Sequence, residues 1–112
     1  WCRWTASRNR GDMKAISEVF DFGLSTTTIQ TLYTVDQFDP ARHTFEPMIM
    51  VAGVEVEPDT TEIRIDPDKP ERRRFLSTYT VASTSSARMV FESTSDTPVI
   101  VPFVQDAFIA AL

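Results

Sequence analysis

Apolar residues along this chain recur mainly at every second position, in short runs divided by stretches rich in Ser, Thr, Pro and Asp. A period of two is that of a strand with one face turned inward. In 15–24, Ile16, Phe20, Phe22 and Leu24 share one parity, interrupted by Glu18. Helical spacing competes over 13–20, through Ile16, Val19 and Phe20. Gly23 and the run from Ser25 to Thr28 favour the strand. In 28–37, Ile29, Thr31, Tyr33 and Val35 face one way, and Gln30, Thr34 and Asp36 the other, with Leu32 as the exception. The β-branched and aromatic content supports a strand there too.

The stretch 48–57 is the strongest core candidate, with Met48, Met50, Ala52, Val54 and Val56 on one parity. A single strand is expected, buried on both faces at its start and half-exposed at its end. A short strand over 61–66 turns Ile63 and Ile65 inward. The stretch "DPDKPERRR" reads as a charged loop carrying Pro67 and Pro70. Strands are expected at 75–82 and 88–93, separated by a turn at "STSS". Another is expected at Val99, Val101 and Phe103. In the tail "VQDAFIAAL", Val104, Phe108 and Leu112 are four apart, which predicts one or two helical turns. So apolar a tail must pack on the body or on another chain.

Residues 1–14 show neither period and read as an extended basic arm, leaving 15–112 as a single β-domain. About seven short strands with turn signals between them predict an all-β chain. The expected fold is an antiparallel β-sandwich, Greek-key-like, or a barrel, with the arm at one end and the short apolar tail at the other. Only three glycines argue for longer loops over tight two-residue hairpins.

A length of 112 residues suits one domain, and 42% hydrophobic residues supply a core. No apolar run reaches the ~20 residues of a membrane-spanning helix. The chain begins at Trp1, which fits a processed or trimmed N-terminus. Charge is more informative than composition. Of eleven basic residues, Arg3, Arg8, Arg10 and Lys14 fall in the arm; of sixteen acids, only Asp12 does. An acidic body therefore carries a basic arm bearing Trp1 and Trp4.

The candidate chemistry is thin. Cys2 is the one cysteine, so no internal disulfide and no thiolate zinc site is expected. His43 is the one histidine, and spacing nominates no nucleophile for it. It reads as a surface or loop-packing residue, and the chain as a non-enzyme. Acids at Asp59, Asp66, Asp68 and Glu71 lack the spacing of a calcium loop. They read as a solvated loop offset by Arg72, Arg73 and Arg74. Gly11, Gly23 and Gly53 are too scattered for a phosphate cradle, so no cofactor is expected. The arm's basic and aromatic residues suit nucleic acid, but the acidic body opposes a polyanion. Arg10-Gly11-Asp12 is a triplet that adhesion receptors read in exposed loops; here Gly11 reads better as the hinge of the arm.

The expected function is a structural or assembly subunit of a larger complex, a virion or bacteriophage particle being one setting. Its partners are other protein subunits, as a homo- or hetero-oligomer. The expected interface residues are Trp1, Arg3, Trp4, Arg8, Arg10, Phe103, Phe108, Ile109 and Leu112. The rival reading is a module that binds carbohydrate or another ligand on aromatics, with Tyr33 and Tyr79 behind Trp1 and Trp4.

Overall fold

A computed structural model describes residues 3–9, 12–95 and 103–112. Its elements are strands only: β1 (Trp4–Asn9), β2 (Asp12–Asp36), β3 (His43–Val51), β4 (Val54–Val56), β5 (Thr60–Asp66), β6 (Lys69–Ser95) and β7 (Phe103–Ala111). All pairings among these seven are antiparallel. The chain is all-β, as its period of two requires. The strands are not uniformly short, however: β2 has 25 residues and β6 has 27.

Those two long strands pair with each other along most of their length and pass through two layers. In the first layer, β1 pairs with the start of β2, and β3 pairs with the end of β6, with β4 beyond it. In the second, β7 pairs with the end of β2, and β5 with the start of β6. β6 lies between β2 and β3, so the order is not a simple meander. The layers face each other across an aromatic core. Tyr33 of the second layer meets Phe45 and Phe91 of the first edge-on, at ring-centre distances of 5.2 and 5.7 Å. Phe75 lies 4.8 Å from Phe45. Edge-to-face pairs of this kind add ~0.5–1.5 kcal/mol each beyond the area they bury. The barrel alternative is not realised, because the sheet does not close.

The bends between layers are made by serine and threonine. The ladder between β2 and β6 shifts register at Asp21/Thr26 and Thr26/Thr28. There the Thr26 hydroxyl donates to the Thr28 carbonyl at 2.9 Å and accepts the Thr28 N–H. Thr84 does the same with Ser86 on β6. A hydroxyl that occupies nearby backbone groups substitutes for ladder bonds, and the strand bends without ending. The stretches 15–24 and 28–37, expected as two strands, are therefore one. So are 75–82 and 88–93, and "STSS" is a bend within β6. Ser17 serves the third irregularity, at Ile16/Val19, where its hydroxyl accepts the Met89 N–H at 2.8 Å.

Four further expectations are corrected. The stretch 48–57 is a hairpin: Val51 pairs with Val54, and Ala52 (φ 51°) and Gly53 (φ 78°) form a two-residue turn. Two positive φ values in succession match the right-handed twist of a hairpin, so one glycine suffices for the tight turn that glycine scarcity argued against. The charged loop at 66–74 shrinks to Pro67-Asp68, since Asp66 pairs with Lys69 and its carboxylate accepts the Asp68 N–H. Arg72, Arg73 and Arg74 thus lie in β6. Ile63 and Ile65 are 57% and 60% exposed. They share a face with Phe75 and Arg73, but an open groove separates Ile63 from β3 of the first layer. The C-terminal tail is a strand and not helical turns. Pairing with β2 satisfies its backbone, and Ala107, Ile109 and Ala111 alternate inward. The expected strand positions Val99 and Val101 lie outside the described residues.

The boundary expected at residue 14 falls inside β2. Of the arm, Trp4–Asn9 form β1, and the Trp4 ring lies 5.4 Å from Phe91.

Candidate interaction surface

The β7–β2–β6–β5 layer presents two faces whose rows differ by one residue. The inward row runs Ala107, Tyr33, Phe75, Ile63, and the outward row Phe108, Leu32, Leu76, Glu62. Phe108 is 62% exposed. Leu32 and Leu76 are half-buried, and a depression of about 180 Å³ lies among the three. One side of this band carries Asp106, Thr34, Arg74 and Arg64; the other carries Ala110, Gln30, Thr78 and Thr60. The outward face is thus apolar across its middle and charged along one border.

Arg72 holds the charged end of the layer together. Its guanidinium donates to both oxygens of Asp36 in β2, at 2.8 and 3.2 Å, and to Gln105 Oε1 of β7 at 2.8 Å. Asp66 of β5 lies 3.7 Å away. Four strands meet on one side chain. The hydrogen bond from Arg72 holds the Asp36 carboxyl below its ordinary value, against a smaller opposing effect of burial. Gln105 reaches Arg72 because β7 carries a bulge there, with Asp106 opposite Thr34 and Val104 opposite Val35. This network ties β7 to β2, β5 and β6 next to Phe108.

Among the described residues, the expected interface residues do not gather on one exposed surface. Phe108 projects outward, Ile109 turns inward and is half-buried, and Leu112 is 63% exposed beyond the end of β7. The Leu112 N–H donates to the Thr28 carbonyl at 2.9 Å. Phe103 opens β7 opposite Asp36. At the other end of the chain, Arg3 is exposed and its carbonyl accepts the Glu18 N–H. Trp4 turns onto the core, and Arg8 pairs with Met13 in the β1–β2 ladder. Trp1, Cys2, Arg10 and Gly11 lie outside the described residues. Lys14 forms ion pairs with Glu55 of β4 and Glu92 of β6, and these carboxylates raise its pKa. That lysine of the basic stretch is therefore engaged by the body's own acids.

Sequence reasoning passed over Leu32, Leu76, Arg64 and Asp106. The signal was present: Leu32 and Leu76 are each an apolar residue among polar ones on their face, and the two pair directly.

The other candidate chemistry resolves into packing. His43 is buried, its Nδ1 accepts the Asp39 N–H at 3.0 Å, and it plugs the turn before β3. Among the described residues its Nε2 has no hydrogen-bond partner. Asp59 accepts the Thr80 hydroxyl, and Asp66 lies beside Arg72 and Arg74. Among the described residues no group of three His, Cys, Asp or Glu could hold a metal, and no helix is long and apolar enough to cross a membrane. Tyr33 and Tyr79 are fully buried, so neither belongs to a surface aromatic platform. A groove of about 410 Å³ opens between β3 and β5, where Phe45, Met48, Phe75 and Ile63 line it. Pro47 on the neighbouring part of β3 has no N–H to offer an added strand. No family model, curated protein or solved structure matches this chain, so the arrangement of its own residues carries the functional reading.

Proposed function

We propose that this chain is a non-enzymatic assembly subunit, a β-sandwich that joins other protein subunits in a larger particle with β7 at the contact. A virion or bacteriophage particle is the proposed setting, because small β-domains repeated on a shell meet their neighbours through fixed faces. One observation carries this reading: the outward row Phe108, Leu32, Leu76, with Leu112 beyond the end of β7. Single exposed apolar residues need no explanation, but an apolar band across paired strands marks a surface that a partner covers. Among the described residues β7 is also an edge strand, and its single charged residue is Asp106, whereas β5 carries Glu62, Arg64 and Asp66. Edges with little charge and no proline invite a partner.

Light scattering over a range of concentration tests the reading. The intact chain is expected to exceed its 12.7 kDa monomer mass, and the pair of changes Phe108→Glu and Leu112→Glu to return it to monomer. A chain that stays monomeric at every concentration overturns the proposal.

A further inference from the structure

We infer that the outward face of the β7–β2–β6–β5 layer packs on the same face of a second copy, about a two-fold axis parallel to the strands and lying between β2 and β6. The inference rests on the assembly reading above and names the partner. Charges are ordered along one row of this face. Asp106 sits at the β7 end, Arg64 at the β5 end, and Thr34 and Arg74 between them. Two sheets stacked face to face lie ~10 Å apart, within reach of long side chains. An axis parallel to the strands keeps each row at its own height and exchanges its ends. β7 of one copy then lies over β5 of the other, so each Asp106 meets an Arg64 across the interface. An acid at one end of a row and a base at the other is the pattern that makes such a face self-complementary.

The next row agrees with the same axis. Leu32 and Leu76 flank the axis, so each leucine meets the other's counterpart, and four leucines form the dry centre. Phe108 of one copy lies over Glu62 of the other, whose carboxylate is drawn aside to Arg64 Nε at 2.9 Å. Among the described residues Asp106 makes no ion pair of its own, whereas Asp36 and Asp66, at the same end of the layer, are both engaged by arginine. An axis perpendicular to the strands would instead lay the charged row over Thr60, Thr78, Gln30 and Ala110, which offer it no opposite charge.

Charge reversal separates this arrangement from any other. Asp106→Arg gives a chain with arginine at both ends of the row, and Arg64→Asp gives one with aspartate at both. In either homodimer the two-fold axis creates two like-charge contacts, so the dissociation constant is expected to rise about tenfold. Mixed in equal amounts, the two variants form a heterodimer in which both contacts join opposite charges. Sedimentation of the mixture is expected to recover twice the 12.7 kDa chain mass at concentrations where each variant alone is monomeric. Circular dichroism and unfolding of each variant alone confirm that it is folded, as these exposed positions allow. An assembled wild type whose mass ignores both reversals, or a mixture no heavier than its components, overturns this geometry and leaves the assembly reading standing. A wild type that never exceeds monomer mass overturns both.

Discussion

Tyr33 and Leu32 are neighbours in the chain, yet they belong to opposite sides of the same layer and to different kinds of chemistry. Tyr33 is fully buried among Phe45, Phe91 and Trp4, and its hydroxyl donates to the Val90 carbonyl at 3.1 Å. Leu32, one position earlier, faces outward between Phe108 and Leu76. The inward row stabilises the fold; the outward row does little for the isolated chain. Apolar character alone does not separate them. What does is whether the opposite layer covers the row, and the same test explains why Ile63, inward by parity, is still largely exposed.

Truncating each neighbour in turn separates the two rows most strongly. Tyr33→Ala opens a cavity between the layers and removes the hydroxyl that donates to the Val90 carbonyl, so a loss of about 3–5 kcal/mol is expected in denaturant unfolding. Leu32→Ala is expected to cost under about 1 kcal/mol, because its side chain leaves no sealed void. Equal losses at the two positions would mean that the outward row is also core. A smaller change tests the inward row's polar part. The Tyr79 and Thr31 hydroxyls lie 3.0 Å apart with both residues fully buried. Tyr79→Phe leaves the threonine hydroxyl without that partner, at an expected cost of about 1–2 kcal/mol.

The parity of this inward row was legible from sequence, because Ile29, Thr31, Tyr33 and Val35 alternate without interruption. Leu32 as the exception on the polar face was legible too, although its pairing with Leu76 and Phe108 needed the register. The hairpin at Ala52-Gly53 was hidden by its own geometry. Val51 and Val54 pair, so the inward positions are odd before the turn, at Ile49 and Val51, and even after it, at Val56. Met48 and Met50, of the other parity before the turn, then join Val54 and Val56 in a false, unbroken alternation. The tail misled for a related reason. Its bulge at Gln105 leaves Val104 inward and Phe108 outward, so the four-residue spacing of Val104, Phe108 and Leu112 marks no single face. The Arg72 network was out of reach, because Asp36, Asp66 and Gln105 are joined only by the fold.

That network offers a pH test of what holds β7 in place. Arg72 depresses the Asp36 pKa in the folded chain, so across the window between the folded and unfolded values the unfolded chain binds more protons. The contribution is present above the unfolded value and is lost as pH falls through the folded one. Unfolding followed from about pH 6 down to about pH 3 is expected to show stability falling, with a shallower slope in Asp36→Asn. If Arg72 anchors β7, amide exchange in Val104–Ala111 should quicken more than in β3 when Arg72 is replaced by Met. Equal quickening in both strands would make Arg72 a general stabiliser.

The smallest expected effect is the most telling for the outward row. Phe108→Ser removes a large apolar side chain from a position that is mostly in water, opposite Leu32 across the ladder. The lost contact with Leu32 is partial, and serine suits an exposed strand position without leaving a void. At a dilution where the chain is monomeric, the unfolding free energy should fall by no more than about 0.5 kcal/mol. At higher concentration, wild type should gain stability with concentration and the variant should not, because association stabilises only a folded chain that has a partner. A large loss at high dilution would place Phe108 in the core after all. A wild-type stability that ignores concentration would remove the reason to treat Phe108, Leu32 and Leu76 as anything but tolerated surface.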